Sequence, residues 1–130
     1  MTAGPPVSIA ILLLGASDLA YSEAAPILDN IVKIHKVCYD QGVLHTVAIG
    51  IPPSGYQSIN DVAAAKAHNV NQGLAQYSFE EKRATYVPFP FSFDRNGDKW
   101  SPDGLHFSPK GYQILGESLA PIVQEILLKL

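Results

Sequence analysis

The stretch from Val7 to Leu14 constrains the fold of this 130-residue chain most, because it is almost wholly apolar and ends at Gly15. A strand with one face in water alternates apolar and polar residues, whereas a strand covered on both faces is apolar nearly throughout. The stretch is too short to span a bilayer, and the first basic residue, Lys33, follows it, so it lacks the flanks of a signal peptide. We therefore predict a buried strand of a parallel sheet.

The rest of the chain alternates between apolar runs and helical patterns. Further strands are predicted over residues 45–51 and 84–89, and helices between residues 26 and 42, from about 60 to 77, and from 109 onward. Alternating strands and helices are typical of an open parallel α/β sheet, in which ligands bind at the carboxyl ends of the strands. We thus expect an α/β fold with about three parallel strands and flanking helices, in a single domain.

The cysteine content and the net charge limit the cellular compartment and the binding partners that we expect for the chain. Cys38 cannot form a disulfide within the chain and shares an apolar helical stripe with Ile27, Ile31 and Ile34, so we interpret it as a small core residue. The formal net charge of -3, without a basic patch, argues against a nucleic-acid or anionic-membrane partner. With no signal peptide or transmembrane segment evident, we expect a cytoplasmic protein.

An aspartate and a histidine three residues apart form the strongest functional signal. Asp103 and His106 lie in a turn that begins near Pro102 and runs into Ser108-Pro109, a pattern typical of a helix start. A carboxylate beside an imidazole orients its tautomer and stabilises its protonated form, as a general base acting on a hydroxyl requires. The spacing alone is equally compatible with a surface turn whose histidine is merely hydrogen-bonded.

The residues around this pair resemble a known family. Asp-Gly-Leu-His, then Ser-Pro-x-Gly-Tyr and an apolar C-terminal helix, resemble the last motif block of the SGNH (GDSL-type) hydrolases, which are serine esterases and lipases on a flavodoxin-like sheet. The resemblance implies that His106 is the general base, that Asp103 orients it, and that the substrate is a small-molecule ester. It implies no cofactor or metal. Residues 1–130 are then a single, partial (truncated) flavodoxin-like SGNH-hydrolase domain.

A second block of the family is matched less well. Gly15-Ala16-Ser17-Asp18 follows the first strand, where the family has Gly-x-Asn-Asp with an Asn that donates a hydrogen bond to the oxyanion. The resemblance makes Ser17 a substitute donor, although losing a well-aimed donor costs about 2.7–4 kcal/mol of transition-state stabilisation. We expect Asp18 to be structural, accepting backbone N–H bonds at the turn and capping the next helix.

The nucleophile block of the family, Gly-Asp-Ser-Leu, is not recognisable in the chain, nor is its glycine oxyanion block. We therefore expect an ester-hydrolase lineage that is inactive as this isolated chain, being either a truncated esterase or a natural short protein with another role. A rival alignment places residues 15–19 on the nucleophile block and makes Ser17 the attacking residue. It would remove the middle of the domain, whereas the segment from Thr46 to Pro53 resembles the part of the family domain that comes after the Gly-x-Asn-Asp strand.

Two other interpretations stay open. A non-catalytic α/β binding or interaction module would explain the absent nucleophile and the altered Ser17. A receiver-like or nucleotide-binding domain is disfavoured, because no acidic cluster or glycine-rich loop accompanies the strand ends. If the first two strands of the family's 2-1-3-4-5 order are missing, the run Val7 to Leu14 becomes an open edge, and we expect a homo-oligomer formed through this sheet edge.

Overall fold

The computed structural model describes residues 7–130, in which helices cover both faces of a three-stranded sheet. The strands are β1 (Ile9–Leu12), β2 (His45–Ile49) and β3 (Ala84–Val87). The helices are α1 (Ala24–Asp40), α2 (Gly55–Ser58), α3 (Asp61–Glu80) and α4 (Pro109–Lys129), and a short 3-10 helix, Ala16–Ala20, follows β1. This order of elements confirms the α/β fold predicted from the alternating runs.

The sheet is parallel throughout, with β2 between β1 and β3. After His45, every residue of β2 is buried. Strand β1 pairs only with β2, and Ile11 is 45% exposed. Every residue of β1 is half-buried or exposed, so the prediction that the run Val7 to Leu14 is covered on both faces is wrong. Among the described residues β1 is an edge strand, as expected for a sheet without the first two strands of the resembled fold. The strand that is buried on both faces is β2.

Helices α1 and α3 pack together on one face of the sheet. Their buried side chains join those of β2 and its flanking segments in one cluster: Leu19, Ile27, Ile31, Ala48, Ile51, Ala63, Ala67, Val70 and Leu74. Two poor helix formers of α3 have tertiary reasons for their positions. A Cβ on Gly73 would lie 2.3 Å from Cδ2 of Leu28, and Asn71 accepts a hydrogen bond from the backbone N–H of Ile51 at 2.7 Å. Gly73 thus permits close helix packing, and Asn71 fastens the segment after β2.

The buried stripe of α1 is rotated relative to the predicted one. Ile31 and His35 are buried, whereas Ile34 is 40% exposed. His35 can lie inside because its Nδ1 makes a 2.6 Å hydrogen bond with the hydroxyl of Thr46 on β2. Its ring also packs edge-on against Tyr77 of α3, with 5.5 Å between the ring centroids. The hydrogen bond and the aromatic contact offset part of the cost of burying this polar ring, whose Nε2 is buried without a hydrogen-bond partner.

Helix α4 covers the opposite face of the sheet, together with the loop of residues 88–108, whose aromatic side chains include Trp100 and Phe107. The buried residues of this cluster are Val47, Ile49, Val87, Trp100, Phe107, Leu115 and Leu119. The helix continues through Pro121, and its last turns are less covered, since Leu127 is exposed. No helix within residues 7–130 is long and apolar enough to cross a membrane.

We expect the folding stability to decrease as the pH falls below about 6.5, because burial lowers the pKa of His35 in the folded protein. The unfolded chain takes up this proton more readily, so the stability is complete above the unfolded pKa and is lost as the pH falls through the folded one. Urea denaturation between about pH 5 and pH 7 measures this dependence. His35→Gln should reduce the slope and leave the contribution of His45, whose pKa burial also lowers, whereas His68→Gln, on the exposed side of α3, should leave the slope unchanged. Equal slopes for the wild type and His35→Gln would contradict the assignment.

Candidate active site

The turn that carries Asp103 and His106 is closed at its base by backbone hydrogen bonds. Trp100 and Phe107 form an isolated antiparallel bridge, and the N–H of Ser101 donates to the carbonyl of His106 at 2.8 Å. Trp100 and Phe107 are both buried in the cluster beneath α4. The exposed end of the turn is therefore held on a base that belongs to the core.

Asp103 and His106 are joined by a direct hydrogen bond. Nδ1 of His106 donates to Oδ2 of Asp103 at 2.5 Å, and the backbone N–H groups of Leu105 and His106 donate to Oδ1 at 2.8 and 3.0 Å. These bonds, with the backbone N–H of His106 contributing most, lower the pKa of Asp103 to about 2. The carboxylate is thus ionised at neutral pH. Because Nδ1 carries the donated proton, Nε2 of His106 is free to accept another.

His106 lies at the carboxyl end of the sheet, where it lines a cavity of about 160 Å³. The lining residues are Leu13, Leu14, Ala16, Pro52, Leu105, His106, Phe107 and Tyr112. Leu14 and Ala16 follow β1, and Pro52 follows β2. The fold therefore brings the turn of His106 next to Leu14 and Ala16, although the two segments are far apart in sequence, while Gly15, Ser17 and Asp18 are not among the residues that line this cavity.

The segment after β1 turns sharply at Gly15. This residue has a φ of 103°, which favours glycine, and it precedes the 3-10 helix on which Ser17 and Asp18 are exposed. The capping role predicted for Asp18 is not found, because neither the 3-10 helix nor α1 has a side-chain cap. Gly15 occupies the cap position of the first, and Glu23 that of the second, beyond the reach of Asp18.

The segment after β2 docks on the turn through two glycines. The N–H of Gly55 donates to the carbonyl of Gly104 at 2.8 Å, and a Cβ on Gly104 would lie 3.3 Å from Cα of Gly55. Gly104 also has a φ of 70°, which an L side chain would strain. Our sequence analysis missed Gly55. Its one signal was the Pro-Pro-Ser-Gly turn pattern directly after the second predicted strand.

Helix α4 begins at the site and is anchored to the chain that precedes the turn. Ser108 is its N-cap, as the sequence predicts: its hydroxyl accepts from the N–H of Gly111 at 3.1 Å and donates to the carbonyl of Asp98. A Cβ on Gly111 would lie 2.0 Å from the carbonyl oxygen of Lys99. The Ser-Pro-x-Gly motif therefore places the helix against the backbone, with no room for a side chain between them.

The chemistry that this site can carry out is acid–base chemistry at the Asp103–His106 pair. Within 7–130, no group of three or more His, Cys, Asp or Glu side chains is placed to hold a metal ion. Of the other histidines, His35 is buried, and Nε2 of His45 is 2.8 Å from the hydroxyl of Thr85, at the amino end of the sheet. His106 is thus the imidazole that is both oriented by a carboxylate and placed at a cavity.

The comparisons with known proteins concern almost the whole chain. The family model described as GDSL-like Lipase/Acylhydrolase matches residues 6–119. No curated protein matches the chain. The matched range includes the segment after β1 and the Asp103–His106 turn.

We expect Gly111→Ala to lower the free energy of unfolding by about 1–3 kcal/mol, because the added methyl group would overlap a backbone oxygen. Gly116→Ala is the matched control, since a Cβ there has nothing within 4 Å in the same helix. It should raise the free energy of unfolding by about 0.5–1 kcal/mol, as alanine is the better helix former. Urea denaturation measures both. A Gly111→Ala protein as stable as Gly116→Ala would contradict the close approach.

Proposed function

Because the chain belongs to the GDSL-like lipase/acylhydrolase family, we propose that its site performs the proton transfers of carboxylic-ester hydrolysis. The observation that carries this proposal is the 2.5 Å hydrogen bond between Asp103 and His106 at the mouth of an apolar cavity. The bond leaves Nε2 as the basic atom. The cavity provides room for part of an ester beside it.

In the proposed reaction, Nε2 of His106 takes the proton of the attacking hydroxyl as its oxygen bonds to the ester carbonyl carbon. The ionised Asp103 stabilises the imidazolium that forms. The imidazolium then donates its proton to the leaving alkoxide, which departs as the alcohol. When water is the attacking hydroxyl, the carboxylic acid is released directly, whereas a hydroxyl side chain would leave an acyl-enzyme that a second water must hydrolyse. Ser17, which follows the cavity-lining Ala16, is proposed to donate a hydrogen bond to the oxyanion.

We assign no serine of the chain as the attacking residue, and this sets the expected activity. A base and its orienting carboxylate without a positioned hydroxyl lose most of the rate enhancement of a triad. The isolated chain is therefore proposed to be a poor hydrolase, with water as the remaining nucleophile. A second candidate function, a non-catalytic binding module, is favoured by the same cavity, which needs no nucleophile to hold an apolar ligand.

We also propose that β1 joins a second copy of the chain. The carbonyl of Ser8 accepts the N–H of His45, so strand alternation turns the N–H and C=O groups of Ile9 and Ile11 outward. The strand contains no charged residue or proline that would block pairing. Ile34 of α1 is exposed as well. Two copies could cover these surfaces through a two-fold axis.

We expect the isolated chain to hydrolyse 4-nitrophenyl acetate only slowly, and His106→Ala to remove most of that activity, because Nε2 can still deprotonate water. A fluorophosphonate should label no serine. Ser92→Ala, which changes an exposed serine outside the cavity, is the control and should leave the rate unchanged.

Two results would contradict this proposal in different ways. A residual rate that is unchanged by His106→Ala would remove the assigned base and favour the binding module. Turnover that is abolished by Ser17→Ala, together with fluorophosphonate labelling at Ser17, would instead make Ser17 the nucleophile.

For the second copy, we expect sedimentation velocity across a dilution series to show a reversible dimer. Ile11→Lys should shift the protein to monomer, because it places a charge at the paired edge. Ile59→Lys is the control, since Ile59 is exposed at the end of α2, away from β1. A wild-type chain that stays monomeric at high concentration would refute the proposal.

A further inference from the structure

The cavity beside His106 is small, and its lining is mainly apolar. Its volume is about 160 Å³, and His106 is the one titratable side chain of its lining apart from the phenol of Tyr112. The lining includes no Asp, Glu, Lys or Arg. A cavity of about 150 Å³ with leucine, isoleucine and phenylalanine walls accommodates a benzene-sized hydrocarbon. The volume therefore corresponds to a group of roughly six carbon atoms.

The walls and the rim of the cavity come from different elements. Phe107 is buried, and its ring lies 5.2 Å from that of Tyr112, centroid to centroid, in an edge-on contact. Leu105 and Tyr112 are both more than half exposed, so they form the rim. Ala16 contributes the smallest side chain of the lining, next to the proposed oxyanion donor. Because Ala16 is also exposed, it lies at the opening of the cavity, which a larger residue would narrow.

We propose that this cavity holds the acyl chain of a short carboxylic ester, of up to about six carbons. This assignment rests on the proposed function, which places the ester carbonyl at His106. Burying an apolar chain is favourable in proportion to its area, and each methylene that enters should strengthen binding about three- to four-fold. Methylenes beyond the volume of the cavity lie in water and add little.

The chemistry of the lining excludes other substrate classes at this position. A phosphoryl group would need cationic side chains, and the lining includes none. A sugar would need several hydrogen-bonding side chains, whereas leucine, proline and phenylalanine predominate. The larger cavity of about 470 Å³, whose lining includes Lys82 and Glu125, also includes His45 at the amino end of β2. It thus lies at the opposite end of the strand from Pro52 and does not serve this site.

The test is direct binding of linear methyl esters to the intact chain, which turns them over slowly at most. Methyl butanoate, methyl hexanoate and methyl decanoate are titrated while methyl NMR signals of Leu13 and Leu14 are followed. We expect the affinity to rise about ten-fold from butanoate to hexanoate and by less than two-fold from hexanoate to decanoate. Ala16→Leu should weaken hexanoate binding at least ten-fold, whereas Ala25→Leu, exposed on α1 outside the cavity, should not.

The possible failures are distinguishable. Affinities that do not depend on chain length, that keep rising through decanoate, or that are unaffected by Ala16→Leu would overturn the acyl-site assignment, whatever the hydrolysis assay shows. Length-dependent binding that is sensitive to Ala16→Leu, combined with hydrolysis indifferent to His106→Ala, would support the acyl site and refute the catalytic proposal.

Discussion

The burial of strand β2 is the constraint on which the rest of the structure depends. It is the one strand of the described residues with neighbours on both sides, and its alternate side chains enter the two separate core clusters. At its amino end, Thr46 binds His35 of α1, and beyond its carboxyl end Ile51 is held by Asn71 of α3. The segment that continues from there reaches Pro52, a wall of the cavity. Strand β2 thus fixes both the helices on one face of the sheet and the position of the candidate site.

Much of the fold could be predicted because apolar pattern and element order are local properties. The run over residues 45–51 indicates a covered strand, and β2 is one. The same pattern misled at β1, because a sequence of apolar residues does not say how many neighbours a strand has. It also placed Ile34 inside in preference to His35, since hydrophobicity alone ignores the hydroxyl of Thr46, which becomes a hydrogen-bond partner only in the folded chain.

Some contacts of the candidate site could likewise be predicted from the sequence, and others could not. Asp103 and His106 could be paired from the sequence because three residues of one turn suffice to bring them together. The approach of Gly55 to Gly104 could not, because the start of α2 meets the turn through backbone atoms, and a Pro-Pro-Ser-Gly pattern indicates a turn without indicating what that turn contacts. For Asp18 the residue type was a good capping residue, but Asp18 lies inside the 3-10 helix and Glu23 takes the cap position of α1, so local geometry decides which residue caps.

The close backbone contacts at Gly55, Gly104 and Gly111 have a consequence for how such a site changes over time. The position of the turn that carries His106 is maintained by main-chain atoms that meet where side chains are absent. Apart from Asp103, which binds the imidazole directly, polar and charged residues on the exposed side of the turn can therefore be exchanged without moving His106. The three glycines have no functional group, yet a side chain at any of them would disturb these contacts. The placement of the base in this part of the molecule thus depends on positions without a side chain, which we expect to change more slowly in sequence than the polar residues around them.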